Sequence, residues 1–199
     1  ILVPGQVEDD ASIRLGAGEI RTNLALLQAV RAANPDAVLI YKPHPDVVAG
    51  LRPGTVPPQD LARLADLTLP KADPIVLIAA CDEVWTITST LGFEALLRGR
   101  RVTTLGAPFY AGWGLTYDHA AIPRRKRNLT RAQLFAVAMI LAPTWYDPCR
   151  DRLCTFEEAV DQFEAETRAF RQDRAGYVAL GMRLWKRPRL QQVFGRERP

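Results

Sequence analysis

Short apolar runs that favour β-strands alternate with helical patterns over residues 1–106, and this alternation restricts the fold more than any other feature of the sequence. Strands are predicted at residues 1–3, 37–41, 83–87 and 101–106. Helices are predicted at residues 19–33, 74–82 and 90–99. A strand followed by a helix and then by another strand is typical of a parallel sheet covered by helices. The chain is therefore predicted to adopt an α/β fold with an open parallel sheet and flanking helices.

Two segments carry the clearest patterns. The sequence AVLIY at 37–41 is continuously apolar and β-prone, as expected for a strand buried on both faces of a sheet. The helix at 19–33 is predicted from apolar residues spaced three or four positions apart, which are Ile20, Leu24, Leu27 and Val30. The Asn-Pro-Asp sequence that follows is predicted to end it.

After residue 106 this alternation ends, and a glycine- and aromatic-rich loop, GAPFYAGWGLT, precedes further predicted helices. One helix is predicted at 130–141. Another is predicted at 155–172, where Thr155 and Glu158 have the spacing of a capping box. A basic amphipathic stretch follows at 176–194.

Composition and cysteine content narrow the class of protein. Hydrophobic residues make up 48% of the chain and charged residues 24%, which is typical of a soluble globular protein. The three cysteines follow no disulfide framework, which favours a reducing compartment. Their spacing does not match a zinc site, so no metal is expected.

Positive charge is concentrated in two segments. The net charge is +4 and the isoelectric point is about 9.2, with basic clusters RRKR at 124–127 and RLWKRPRL at 183–190. No nucleic-acid-binding module accompanies them, so no nucleic-acid partner is expected. A small anionic ligand or an anionic membrane surface fits this charge, and a solvated face is the alternative for residues 124–127.

An acidic cluster follows the first predicted strand, at the edge of the sheet where ligands bind in parallel α/β folds. The motif PGQVEDDAS contains Glu8, Asp9 and Asp10. Adjacent carboxylates that fold into a cleft raise one another's pKa, which would suit a nucleophile or a general acid or base. The alternative is a solvated turn at the start of a helix, where acidic residues are favourable.

A histidine framed by prolines follows the second predicted strand. Pro43 and Pro45 restrict the backbone around His44. Held in this way, His44 and Lys42 would both donate hydrogen bonds to a phosphate. The alternative is a histidine that only forms a hydrogen bond within a turn.

Hydroxyl residues lie between the strand at 83–87 and the helix after it. Thr88, Ser89 and Thr90 would present hydroxyls and backbone N–H groups to an anion at the helix N-terminus, and the alternative is an ordinary helix cap. Glu94 lies one turn later. It is a candidate to bind ribose hydroxyls, and the alternative is that it is only a charged residue on the protein surface.

Together the three motifs predict a nucleotide-phosphate pocket with a carboxylate nearby. The glycine-rich signatures of dinucleotide-binding and P-loop enzymes are absent from the sequence, as is the G-x-S-x-G signature of α/β-hydrolases.

The chain resembles the bacterial capsule polysaccharide synthesis family of KpsC-type and KpsS-type enzymes, and is most similar to the KpsC-type β-Kdo transferases. Four motifs carry the resemblance: PGQVEDDASI, YKPHPDV, TSTLGFEALLRG and GAPFYAGWGLT. It is strong over residues 1–120 and looser through the terminal RLWKRPRLQQVFG.

The resemblance implies the C-terminal, donor-binding half of a GT-B glycosyltransferase, followed by C-terminal helices. Residues 1–145 would form the Rossmann-like CMP-sugar-binding domain. Residues 146–199 would pack back on the sheet or on an N-terminal domain that the sequence does not include. Because the sequence begins within an apolar run without an initiator methionine, we expect a fragment of a longer protein, whose turnover in isolation is an open question.

The resemblance also implies a reaction and its partners. Such enzymes transfer Kdo from CMP-β-Kdo with retention of configuration, without a metal or other cofactor, to a lysophosphatidylglycerol or other lipid-linked Kdo acceptor. They act in the cytoplasm, peripherally on the inner membrane, with other capsule assembly proteins and the export machinery. The alternatives are a non-catalytic nucleotide-sugar-binding module and a GT-B transferase that uses another nucleotide sugar.

Roles for individual residues follow from the motif match. A protonated His44 would bind the CMP phosphate, and Ser89 and Thr90 would bind the oxygens of that phosphate. Glu94 would bind the ribose. The predicted donor-binding set also includes Gln6, Lys42 and Pro45. Retention by double displacement requires a carboxylate near the anomeric carbon. The candidates are Asp9 or Asp10 ahead of Glu8, or a residue on the half that is not present.

Two further segments are left with alternatives. The aromatic loop at 109–118 would line the donor or acceptor entrance, or cap the core. The basic residues at 124–127 would neutralise the Kdo carboxylate or a lipid phosphate, or remain solvated.

Overall fold

The computed structural model describes residues 1–173 of the 199-residue chain. It divides into two compact units, the first comprising residues 1–134 and the second beginning at Phe135. The sequence-based division at residue 145, and the predicted packing of the C-terminal helices, stay predictions. The basic stretches predicted at 176–194 and 183–190 lie outside the described residues.

A six-stranded parallel sheet forms the centre of the first unit, in the order β3-β2-β1-β4-β5-β6. Its strands are β1 (Leu2–Pro4), β2 (Ile40–Lys42), β3 (Leu67–Thr68), β4 (Glu83–Thr86), β5 (Arg101–Thr104) and β6 (Tyr117–Asp118). The chain runs from β1 outward to β3 and then returns to pair β4 with the other side of β1. This reversal of strand order creates a crevice at the carboxyl ends of β1 and β4, where open α/β sheets bind ligands. The predicted α/β fold with a parallel sheet is confirmed.

Helices connect the first five of these strands, and a loop without a helix connects β5 to β6. The helices are α1 (Ala11–Gly16), α2 (Asn23–Ala33), α3 (Pro45–Val48), α4 (Pro58–Leu64), α5 (Pro74–Ala80) and α6 (Thr90–Leu97). The three helices predicted for this region are confirmed as α2, α5 and α6, each shorter than predicted. The short helices α1, α3 and α4 were not predicted, because they have too few turns to show a hydrophobic period and lack the continuous apolar run that marks α5.

The core of the first unit joins the central strands to α2. Val3 and Tyr41 from the strands pack with Leu27 and Val30 from the helix, and all four are almost completely buried. The apolar spacing read from the sequence therefore marks the buried face of α2. Ile20, the first residue of that pattern, precedes the helix and packs against the core from the loop.

The second unit begins with a continuation of helix α7 (Arg131–Phe135) as a π-helical segment, Ala136–Leu141. An antiparallel pair, β7 (Trp145–Asp147) and β8 (Arg152–Cys154), follows. Helix α8 (Phe156–Gln172) has the predicted capping box between Thr155 and Glu158. No helix in the described part of the chain combines the length and apolar character that crossing a membrane requires.

Candidate active site

A cleft of about 320 Å³ opens at the carboxyl ends of β1, β2 and β4. Its lining residues come from the loops after these strands and are Gly5, Gln6, Val7, Asp10, Ser12, His44, Asp46, Arg52, Thr88, Ser89 and Thr90. The structure thus brings together five of the ten predicted site residues, which are Gln6, Asp10, His44, Ser89 and Thr90. The other five, which are Glu8, Asp9, Lys42, Pro45 and Glu94, do not line this cleft.

A buried asparagine fixes the loop after β1. Asn23, at the start of α2 and 1% exposed, accepts a hydrogen bond from the backbone N–H of Gln6 at 2.8 Å. Its side-chain amide donates to the backbone carbonyl groups of Gln6 and Gly54, both at 2.8 Å. Three segments that are distant in sequence therefore meet at one side chain beneath the cleft.

The three acidic residues of the predicted cluster have separate partners. Glu8 accepts a hydrogen bond from the backbone N–H of Asn23 at 2.7 Å, at the start of α2. Asp9 pairs with Arg52, whose Nε and Nη2 both donate to Oδ1, at 3.1 and 2.7 Å. Of these three acidic residues, only Asp10 lines the cleft. The structure therefore singles out Asp10 as the acidic residue of the cluster that is placed to meet a bound ligand.

Asp10 caps helix α1 with one carboxylate oxygen. Its Oδ2 accepts hydrogen bonds from the backbone N–H of Ser12 at 3.0 Å and from the Ser12 hydroxyl at 2.6 Å. These bonds, led by the hydroxyl, lower the pKa of Asp10 below its ordinary value, and the nearby charge of Arg52 acts in the same direction. The expectation that the clustered acids would raise one another's pKa is wrong for Asp10. A carboxylate that is ionised at neutral pH suits a nucleophile better than a general acid.

We expect Ser12→Ala to raise the pKa of Asp10 toward its ordinary value of 3.8, because this variant removes the largest cause of the lowering. The measurement is a pH titration followed by the NMR shift of the carboxyl carbon. Ionised Asp10 stabilises the fold above pH 3.8, and this stabilisation is lost as the pH falls through the lowered pKa. Ser12→Thr, which keeps the hydroxyl, is the control. An unchanged Asp10 pKa in Ser12→Ala would contradict the assignment.

Arg52 is the cation of the cleft, and the sequence reasoning did not select it. Its pKa is raised, first by the hydrogen bonds to Asp9 and also by the charges of Asp10 and Asp46. Two of its nitrogens bind Asp9, while Nη1 has no hydrogen bond within residues 1–173. Arg52 therefore holds a positive charge beside two cleft carboxylates, those of Asp10 and Asp46.

His44 presents one ring nitrogen to the protein and leaves the other for a ligand. It caps helix α3 in an extended backbone conformation, and its Nδ1 accepts the backbone N–H of Asp46 at 3.2 Å. A nitrogen that accepts an N–H carries no proton, so the ring proton lies on Nε2. A ring protonated on both nitrogens, as the sequence analysis expects, would lose this bond. Nε2 has no hydrogen bond within the described residues, which leaves it available as a donor.

The two neighbours of His44 in the predicted set have other surroundings. Lys42 is buried, and its Nζ donates to the backbone carbonyl of Pro70 at 3.3 Å. The cation that lines the cleft is thus Arg52 and not Lys42. Pro45 is the first residue of α3, a position at which its fixed φ favours the helix and its missing N–H costs nothing.

Ser89 and Thr90 begin helix α6 at the edge of the cleft. Ser89 is the N-cap, and its Oγ accepts the backbone N–H of Leu91 at 3.2 Å, which leaves the hydroxyl proton for another acceptor. Thr90 is the first helical residue, and its hydroxyl has no partner within residues 1–173. The turn therefore presents hydrogen-bond donors at a helix N-terminus, an arrangement that favours an anion.

Glu94 lies one turn into α6. It pairs with Arg98, with 3.6 Å between Nη1 and Oε2, and it does not line the cleft. The predicted contact with ribose gains no support from this position.

A tyrosine from the aromatic loop braces the start of α6. The Tyr110 hydroxyl donates to the backbone carbonyl of Ser89 at 2.5 Å, and burial raises the pKa of Tyr110, which keeps it protonated as a donor. Its hydroxyl and ring lie so close to Gly92 that an added Cβ there would collide with them. Fully buried Tyr110 thus caps the core, whereas neighbouring Phe109 is 44% exposed.

Arg125, in the basic segment at 124–127, is partly buried, whereas the other three residues of the segment are exposed. Its guanidinium donates to the carbonyl groups of Pro108 and Ala111, at 2.5 and 2.6 Å, and lies over the Trp113 ring at 5.4 Å. Burial lowers its pKa. This side chain holds the aromatic loop in place.

The sequence reasoning missed several residues of the site, with different causes. Ser12 and Asp46 lie two positions after Asp10 and His44, a spacing from which helix capping could have been predicted. Arg52 has no such signal, because its partner Asp9 is 43 residues away. The role of Asn23 was equally hidden from local patterns.

Known proteins are similar to this chain in sequence and in fold. The family model described as "Capsule polysaccharide biosynthesis protein" matches residues 1–144. The capsule polysaccharide modification protein LipA of Neisseria meningitidis serogroup B is 56% identical over 148 residues, which is 74% of this chain. The matched region is 21% of LipA, so the chain spans about a fifth of the length of this relative.

Two solved structures are similar over most of the chain, and both are of KpsC from Thermosulfurimonas dismutans. The one titled a beta Kdo 2,7 transferase is 42% identical with a TM-score of 0.72, covering 80% of this chain and 50% of its own. The one titled a beta Kdo 2,4 transferase is 33% identical with a TM-score of 0.69, covering 81% of this chain and 50% of its own.

Proposed function

Because the chain belongs to the capsule polysaccharide biosynthesis family, we propose that it is the donor-binding part of a retaining β-Kdo transferase that uses CMP-β-Kdo. The two solved structures are of transferases with different linkages, 2,7 and 2,4, that share the sugar Kdo. This shared element supports Kdo as the sugar transferred.

One observation carries the proposal: the donors of His44 and of the turn at Ser89 and Thr90 line the same cleft. The cleft lies where the order of the strands reverses, and a nucleotide phosphate there would accept from His44 Nε2 and the Ser89 hydroxyl. Such hydrogen bonds stabilise the charge that develops on CMP as it departs.

Asp10 is the proposed nucleophile of the double displacement. An ionised oxygen of Asp10 would attack the anomeric carbon, and CMP would depart with the electron pair of the broken bond. The acceptor hydroxyl would then displace the carboxylate and lose its proton to a base, which restores the original configuration. The position of Asp10 in the cleft supports this role over Asp9 and Glu8, which do not line it, and the lowered pKa of Asp10 keeps its carboxylate ionised.

The acceptor and the cellular setting are proposed from family membership. We propose a lysophosphatidylglycerol or other lipid-linked Kdo acceptor at the cytoplasmic face of the inner membrane. Peripheral association with that membrane would place the chain beside the other capsule assembly proteins and the export machinery.

Calorimetric titration with CMP and UMP tests which nucleotide the donor sugar carries. We expect saturable binding of CMP, and binding of UMP that is weaker by about tenfold or more, because a site built for the cytosine edge leaves polar groups unpaired with uracil. Equal affinities would contradict the CMP-sugar proposal. The same titrations on the full-length parent protein show whether the remaining half contributes.

Asp10→Asn in the full-length parent separates catalysis from binding. A transferase should lose Kdo transfer and keep its CMP affinity. Retention of transfer by this variant would exclude Asp10 as the nucleophile, and absence of transfer even in the unmodified parent would favour a binding module.

A further inference from the structure

Gln6 connects the loop after β1 to the loop after β4. Gln6 is buried, with an exposure of 6%. Its side-chain amide forms four hydrogen bonds with residues 80 or more positions away. Oε1 accepts from the Thr86 hydroxyl and from the backbone N–H groups of Ile87 and Thr88, each at 3.1 Å. Nε2 donates to the hydroxyl oxygen of Thr88 at 2.9 Å.

These partners fix which end of the amide is which. A backbone N–H can only donate, so the Gln6 atom that faces Ile87 and Thr88 must be the oxygen. The other end is then the NH₂ group, which can only donate, so the Thr88 hydroxyl must accept from it. The orientation of the Gln6 side chain therefore follows from chemistry alone.

This orientation determines what the Thr88 hydroxyl can do. Its oxygen is occupied as an acceptor by Gln6, and its proton has no acceptor within residues 1–173. Thr88 lines the cleft beside Ser89 and Thr90. Its proton is thus left for a ligand, as that of Ser89 is.

We propose that Thr88 is a further hydroxyl donor to the phosphate of the bound nucleotide, and that Gln6 is the positioning residue that directs its proton. This proposal rests on the proposed function, because it assumes a nucleotide phosphate in the cleft. It also replaces direct ligand binding, the predicted role of Gln6, with an action through Thr88.

Gln6→Glu tests the direction of the hydrogen bond with little change in shape. At pH 8 an ionised carboxylate keeps an oxygen for Thr86, Ile87 and Thr88, but its other oxygen can only accept. The Thr88 hydroxyl would then donate to this carboxylate, and its proton would be withdrawn from the phosphate. We expect CMP affinity, measured by calorimetry, to fall by about 10- to 100-fold, the usual loss for a hydrogen bond to a charged group.

Cytidine, which lacks the phosphate, distinguishes positioning from general disruption. Its affinity should be the same in the wild type and in Gln6→Glu. Equal losses for CMP and cytidine would overturn the proposal and would indicate a purely structural role for Gln6.

Thr88 provides a second test that does not depend on a buried carboxylate. We expect Thr88→Val to lose CMP affinity by a similar factor and Thr88→Ser to retain it. In the Thr88→Val background, Gln6→Glu should lower CMP affinity by less than about threefold, because no hydroxyl proton remains to be redirected. An undiminished cost in that background would mean that the new charge repels CMP directly, and would overturn the positioning role.

The outcomes for the two proposals are distinct. Failure of the unmodified chain and of the full-length parent to bind CMP would overturn the proposed function and this inference together. If the wild type binds CMP and Thr88→Val binds it equally tightly, only the role of Thr88 is overturned.

Discussion

His44→Asn is expected to weaken CMP binding by about 10- to 100-fold and to leave the stability of the fold nearly unchanged. Asparagine is a good helix N-cap, and its Oδ1 can accept the backbone N–H of Asp46 as Nδ1 of His44 does. The variant therefore keeps the cap of α3 and removes only Nε2. Calorimetry measures the affinity, and thermal melting measures the stability.

His44→Ala is the matched comparison, because it removes both the cap and Nε2. It should lose the same CMP affinity and, in addition, about 0.5–2 kcal/mol of stability. Wild-type CMP affinity in His44→Asn would show that His44 only caps the helix, which is the turn alternative left open by the sequence.

Asn23→Leu is expected to destabilise the fold by about 3–5 kcal/mol. Leucine has the same branched arrangement of heavy atoms but cannot replace the hydrogen bonds of the buried amide. The backbone N–H and carbonyl of Gln6 and the carbonyl of Gly54 would then lack their partner in a site shielded from water. The measurement is urea-induced unfolding at neutral pH.

Asn34→Leu, at the other end of α2, is the control. Asn34 donates a single side-chain hydrogen bond, to the carbonyl of Val30 at 3.0 Å, and it is only partly buried. Loss of this hydrogen bond should lower the free energy of unfolding by about 1 kcal/mol. Equal costs for the two variants would argue that Asn23 does not hold the loops together.

The sequence predicted those parts of the fold whose signal is local and long enough to repeat. Helix α2 shows three turns of apolar spacing, and the apolar AVLIY run marks the region that contains β2. Helix α3 contains only four residues and starts with a proline, so its pattern was indistinguishable from that of an extended loop. Strand β2 begins at Ile40, later than predicted, because Leu39 donates its backbone N–H to the Asp66 side chain.

The same limit explains what could be predicted of the site. His44, Ser89 and Asp10 lie at strand ends within recognisable motifs, so their meeting in one cleft follows from the parallel sheet. The pairing of Arg52 with Asp9 and of Gln6 with Thr88 joins positions 43 and 82 residues apart. Spacing within a motif contains no information on such pairs, and they became visible only in the folded chain.

The contact between Tyr110 and the start of α6 has a thermodynamic consequence for ligand binding. A flexible loop must be ordered when it closes on a ligand, and the lost conformational entropy weakens the affinity. Here the Ser89 carbonyl is already held by the Tyr110 hydroxyl, and the missing side chain at Gly92 lets the ring pack directly on the helix. The turn is held in place before any anion arrives, so less of the favourable interaction energy is lost in ordering it.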